Sequence, residues 1–193
     1  AAGLMDTVLY LDIANEFPVR IWAPFLYPPN AERDYSPADA LIVGWMDEAI
    51  NALRAEFPDL PMCFSLTHDL QNCRQFNLST HDLLEIHIWM TQYSDFYDRV
   101  GYHFTLFDPI GYDNLARLGS TVYAEKPHFW QDSLRQGIDM IAAWSADVKK
   151  PLMTTECWGV VDYKDFPMLD WGWVKELCEV GVRHASASGR WMA

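Results

Sequence analysis

The sequence predicts an α/β fold with a parallel sheet, on three observations. Short apolar, β-rich runs alternate with longer segments of helical periodicity. The runs are apolar almost throughout, as in strands covered on both faces. The order strand, loop, helix recurs along the chain and closes on a strand, the order of βαβ units.

Residues 7–14 (TVLYLDIA) form the first strand, running into Asn15-Glu16. Residues 17–35 are a loop, marked by Phe17-Pro18, Pro24 and Pro28-Pro29. Ser36-Pro37 opens a helix, with Ser as N-cap and Pro at the first helical position, running to about Phe57. Within it Ala40, Leu41, Gly44, Trp45, Glu48, Ala49 and Ala52 recur at helical spacing. Residues 61–67 (PMCFSLT) are the second strand, and a short helical piece is expected near 69–76. In the third strand, 83–89 (LLEIHIW), Leu84, Ile86 and Ile88 share one face, and Glu85, His87 and Trp89 the other. That alternation is apolar towards covering helices and polar towards an interior.

Residues 90–127 read as a long irregular stretch, of the kind that is usually functional inside a compact domain. A helix follows at about 128–148, then a short strand, LMTTE, after Pro151. A second loop at 157–167 precedes a helix near 168–180 that Gly181 ends. Residues 182–188 (VRHASAS) are expected as the last strand. Five strands and about four crossovers result, with no internal repeat.

Composition narrows the function. A chain of 193 residues, half of them hydrophobic, can bury one sizeable core. A net charge of −13 repels a phosphate backbone, so nucleic acid is not an expected partner. The nine Trp, nine Tyr and ten Phe are mostly core, but aromatic faces also suit the C–H surfaces of sugar rings. Cys63, Cys73, Cys157 and Cys178 have no CxxC spacing, so neither a zinc site nor a redox motif is indicated, and four cysteines in 193 residues are not a disulfide scaffold. His81 and His87 do not have the spacing of a metal site, and no cofactor is expected. No run of about 18 apolar residues suggests a membrane span. The N-terminus has no basic stretch of the signal-peptide kind.

Two carboxylates stand out. Glu16 ends the first strand and Glu156 ends the strand that begins at Leu152; each follows an apolar run and precedes an aromatic loop. A single Glu after a strand is most often a solvated loop residue. Glycoside cleavage, however, needs two carboxyls distant in sequence and close in space, and a (β/α) barrel supplies them from strand C-termini.

Leu11-Asp12-Ile13-Ala14-Asn15-Glu16-Phe17-Pro18 and Thr154-Thr155-Glu156-Cys157-Trp158-Gly159 resemble the two motifs of clan A of the glycoside hydrolases, whose members are (β/α)8 barrels of the TIM type. Within the clan the chain looks most like the cellulase-like sugar-binding proteins. The resemblance implies an Asn-Glu pair at the end of strand four, with Glu16 as acid/base, and Glu156 as the nucleophile at the end of strand seven. Two strands lie between them, as strands five and six should. It further implies that Asn15 bonds the hydroxyl beside the anomeric carbon and that Trp191, just after strand eight, stacks on sugar. The chain then corresponds to strands four to eight only, a partial barrel. Residues 1–193 would be the C-terminal part of one catalytic domain, with strands one to three and the clan's substrate-site Arg upstream of Ala1.

His68, His87, Trp89 and Trp158 are further candidates for substrate contact. For His87 a buried packing role is equally open, and Trp158 is as readily a packing residue under its loop. The expected activity is hydrolysis of β-linked glycosides with retention. The alternatives are a non-catalytic carbohydrate-binding barrel and an inactive piece of such an enzyme. Oligomeric state, sugar and compartment, cytoplasmic or secreted, are left open.

Overall fold

A computed structural model gives the structure of the chain and describes residues 3, 7–103, 108–161, 163 and 169–192. Residues 104–107 of the stretch expected to be irregular lie outside the described residues. So do 162 and 164–168 of the second loop. The fold is of the expected class, α/β with every paired strand parallel. The chain forms two compact units.

The first unit comprises Ala1–His87, Ala143–Thr155 and Arg190–Ala193. Here β1 (Leu11–Asp12) pairs with β2 (Met62–Cys63). A four-stranded sheet runs in the order β3 (Ser65–Leu66), β4 (Leu84–Ile86), β6 (Leu152–Met153) and β8 (Trp191–Met192). The run 61–67 is therefore split between two partners. The cause is local: the Ser65 N–H donates to the Asp12 carboxylate at 2.8 Å instead of to a ladder carbonyl. The run 83–89 is likewise interrupted, at His87.

Helix α1 (Ala40–Glu56) covers this unit. Ser36 N–H donates to the Asp39 carboxylate, and the Ser36 hydroxyl accepts from Ala38 N–H. These bonds close a turn at 37–39 rather than cap the helix as expected: the N-cap is Asp39, and the α-helix starts three residues later than Pro37. The buried stripe is Ile42, Met46 and Ile50, four residues apart, whereas Leu41 is 56% exposed. The core-facing side is thus rotated from the residues whose spacing marked the helix. A 3-10 helix at Leu70–Gln75 matches the expected short piece. Phe17 packs on Phe64 and Trp45, with ring centroids 4.9 and 5.0 Å apart, anchoring the loop that leaves β1.

The second unit comprises Ile88–Ala142 and Glu156–Gly189. It holds β5 (Ile88–Trp89) paired with β7 (Cys157–Trp158), and the helices α2 (Phe96–Val100), α3 (Pro109–Glu125), most of α4 (Pro127–Val148) and α5 (Gly172–Ser188). Two expectations are corrected here. The stretch 90–127 is largely helical: α3 is started by Asp108, whose carboxylate accepts from Ile110 N–H, followed by Pro109 at the first position. Its buried face contains Gly111 and Gly119, where Tyr102 and Trp173 approach the helix backbone. Likewise α5 does not stop at Gly181, and 182–188 is helix rather than strand. Gly181 is a contact glycine: a Cβ there would lie 2.8 Å from the Trp158 ring. The helix ends at Gly189, which adopts φ 65° and donates to Ser186 O. The last strand is β8, and Trp191 begins it rather than following it.

Candidate active site

β1 leads through Ile13 and Ala14 to Asn15-Glu16. The backbone of Glu16 is in the left-handed region, φ 47°, which is costly for a residue with a Cβ. Ser65 holds it there. The Ser65 hydroxyl accepts from Glu16 N–H at 2.8 Å, and the Ser65 carbonyl accepts from Phe17 N–H at 2.9 Å. Strain kept in place by the next strand's end is a common mark of a functional position.

Both carboxylate oxygens of Glu16 have nitrogen partners. Oε1 lies 3.1 Å from Nδ1 of His87, and Oε2 accepts from the indole N–H of Trp22 at 3.1 Å. Burial pushes Glu16 up. The bonds from His87 and Trp22, with a smaller contribution from Thr67, outweigh it and hold the carboxyl below the usual carboxylate range. This differs from the raised value that an acid at neutral pH calls for.

His87 is almost fully buried, between β4 and β5. Its Nε2 is 3.5 Å from Glu85 Oε1, and Glu85 has no exposed surface. Glu85 accepts from Tyr10 OH at 2.8 Å, from Thr155 N–H at 2.7 Å and from the Thr155 hydroxyl at 2.9 Å. Burial raises Glu85, but the bonds from His87, Tyr10 and Thr155 prevail and keep it low. A buried, ionised carboxylate with this many donors is well compensated. Tyr10, in turn, is pushed up by burial and by Glu85.

The first unit therefore brings Glu16 and His87 into contact. Asn15 precedes Glu16, and His68 follows β3; both are partly exposed. Trp191 pairs with Leu152 in the sheet. The second unit holds Trp89, Glu156 and Trp158. Trp89 is partly exposed, Glu156 is exposed and directly follows Thr155, and Trp158 is buried against Gly181 with φ 73°. That contact gives Trp158 a packing role. Glu16 and His87 are groups that also hold metal ions, and two such donors do not by themselves define a metal centre.

Ser65, Trp22, Tyr10 and Thr155 were not visible as site residues in the sequence. Glu85 carried a signal, since it shares the polar strand face with His87.

The family profile of sugar-binding, cellulase-like proteins matches the chain over residues 1–193. The chain belongs to that family. A crystal structure of a candidate glycoside hydrolase from Parabacteroides distasonis is similar at 40% identity and a TM-score of 0.90, covering 98% of this chain and 51% of that one. The chain thus spans about half the length of that protein. No functionally curated protein matches it. The likeness extends to the fold class, a partial barrel of the glycoside hydrolase type.

Proposed function

We propose that this cellulase-like chain carries the catalytic pair of a retaining glycoside hydrolase acting on β-linked glycosides, within one catalytic barrel domain. Glu156 attacks the anomeric carbon, and the bond to the leaving oxygen breaks as Glu16 protonates that oxygen. Water then attacks the glycosyl–Glu156 ester, giving its proton to Glu16 and releasing Glu156. Asn15, His68, Trp89 and Trp191 are proposed to contact the sugar, and His87 to orient Glu16. The observation that carries the reading is the grip on Glu16: a strained strand-end residue whose two oxygens are held by His87 and Trp22.

The depressed Glu16 bears on the first step. Burial already acts upward on this carboxyl, so a substrate that excludes water and displaces a donor moves it towards the protonated form. The same depression favours a second reading, a barrel that binds carbohydrate without cleaving it, since such a site needs no proton on Glu16.

A panel of 4-nitrophenyl β-glycosides (glucoside, xyloside, mannoside, galactoside, cellobioside) separates the two. Hydrolysis is expected for at least one, with Glu156→Ala reducing kcat at least about 1,000-fold. Glu16→Gln is expected to slow substrates with poor leaving groups most. Full activity in both variants overturns the assignment. Binding of the glycosides without turnover supports the second reading.

A further inference from the structure

Glu85 is placed to do more than neutralise a neighbour. It sits on β4 with its carboxylate wholly buried. Oε2 takes the hydroxyl of Tyr10, one residue before β1, the strand that leads to Glu16. Oε1 takes both the N–H and the hydroxyl of Thr155, the residue immediately before Glu156. The same oxygen lies 3.5 Å from His87 Nε2, and the other ring nitrogen of His87 meets Glu16. One buried group therefore touches the approach to one proposed carboxylate, the imidazole that holds its side chain, and the peptide that precedes the other.

We propose that Glu85 is a positioning residue that sets Glu16 and Thr155, the residue before Glu156, in register. It does not touch the substrate. It acts because an ionised carboxylate only accepts, and can take several N–H and O–H donors from separate chain segments at once. A glutamine of nearly the same volume presents one carbonyl oxygen and one NH2 group. The NH2 faces Tyr10, whose hydroxyl takes it only by turning its own proton away, and the remaining oxygen is a neutral acceptor, so every arm is weakened. This rests on the assignment of Glu16 and Glu156 above, and the readouts keep the two apart.

The test compares wild type with Glu85→Gln, and with Thr155→Val, which removes the hydroxyl bond, keeps the N–H bond at 155 and leaves the buried carboxylate. The first readout is structural and needs no substrate: the amide proton shift and exchange protection of Thr155, and the Tyr10 titration, both by NMR. Glu85→Gln is expected to move the Thr155 amide upfield, shorten its protection, and lower the Tyr10 titration towards the ordinary tyrosine range. Thr155→Val is expected to leave the Tyr10 titration in place. The second readout is kinetic, on the panel glycoside that wild type cleaves fastest. Loss of register is expected to lower kcat about 100-fold in Glu85→Gln with KM changed less than about threefold, and kcat by a smaller factor in Thr155→Val. An unmoved Thr155 amide in folded Glu85→Gln overturns the proposal. So does wild-type kcat in that variant while Glu16→Gln is impaired. Should Glu85→Gln fail to fold, Thr155→Val decides: wild-type kcat there, with Glu156→Ala inactive, overturns it. Wild-type turnover in both Glu16→Gln and Glu156→Ala instead removes the underlying assignment, leaving the structural readout to judge the Glu85 contacts.

Discussion

Glu16 is held by donors that favour its charged form while burial opposes them. In the free protein it is therefore ionised at neutral pH, and the protonated fraction rises only as the pH falls through its lowered pKa. If it acts as the acid, kcat/KM, which reports the free protein, declines with rising pH from a low point. The kcat profile reports the occupied site, where the proposed mechanism has water excluded and the carboxyl raised. The basic limb of kcat is expected at higher pH than that of kcat/KM; coincident limbs contradict this account of Glu16. His81 supplies a second titration, remote from catalysis. It is 2% exposed, and neither ring nitrogen has a hydrogen-bond partner among the described residues. Burial, and then the charge of Lys150, push it from 6.5 down to about 4. The folded state thus binds this proton less readily than the unfolded chain. Stability is unaffected above about pH 6.5 and falls between there and about pH 4, by up to ~1.4 kcal/mol per pH unit. His81→Phe is expected to flatten the decline in Tm between pH 7 and 5, and an unchanged decline argues against it. The strand alternation of 83–89 already grouped Glu85 with His87. Their partners were not legible, because Tyr10 and Thr155 reach them only through the pairing of β4 with β6 and the path of β1, and strand register is not written in either segment alone.

Among the elements, the glycines separate what sequence pattern can and cannot tell. Asp108-Pro109 starts α3 inside the stretch read as irregular, and the buried face of that helix carries Gly111 and Gly119. In α5, Gly181 looked like a stop and Gly189 is the stop. The difference lies in what faces each residue: a tryptophan ring at 181, and nothing within 4 Å at 189, where the backbone takes φ 65°. A helix-compatible residue at 181 therefore has no conformational objection, only a steric one. Gly181→Ala places a methyl against Trp158, and should destabilise the protein by about 1–3 kcal/mol despite alanine's higher helix propensity. Denaturant unfolding measures this, and an increase in stability contradicts the packing described. By contrast the strand ends were legible. Asn-Glu and Thr-Thr-Glu each close an apolar run, and β1 and β6 lie where those runs predict, though shortened to the residues that pair.

At the level of the whole molecule, the parallel α/β class followed from alternation alone, while its barrel kinship followed from two short motifs in the right order. The family match over 1–193 and the 0.90 TM-score agree with that reading. No described helix is long and apolar enough to cross a membrane. The net charge of −13 disfavours polyanionic ligands and suits a neutral sugar. The central claim concerns chemistry, and the stereochemical course of hydrolysis tests it most directly. Proton NMR of the first product released from the aryl β-glycoside cleaved fastest should show the β-anomer appearing before mutarotation, with Glu156→Ala releasing none. Initial appearance of the α-anomer, or undiminished release by Glu156→Ala, contradicts a double displacement through Glu156.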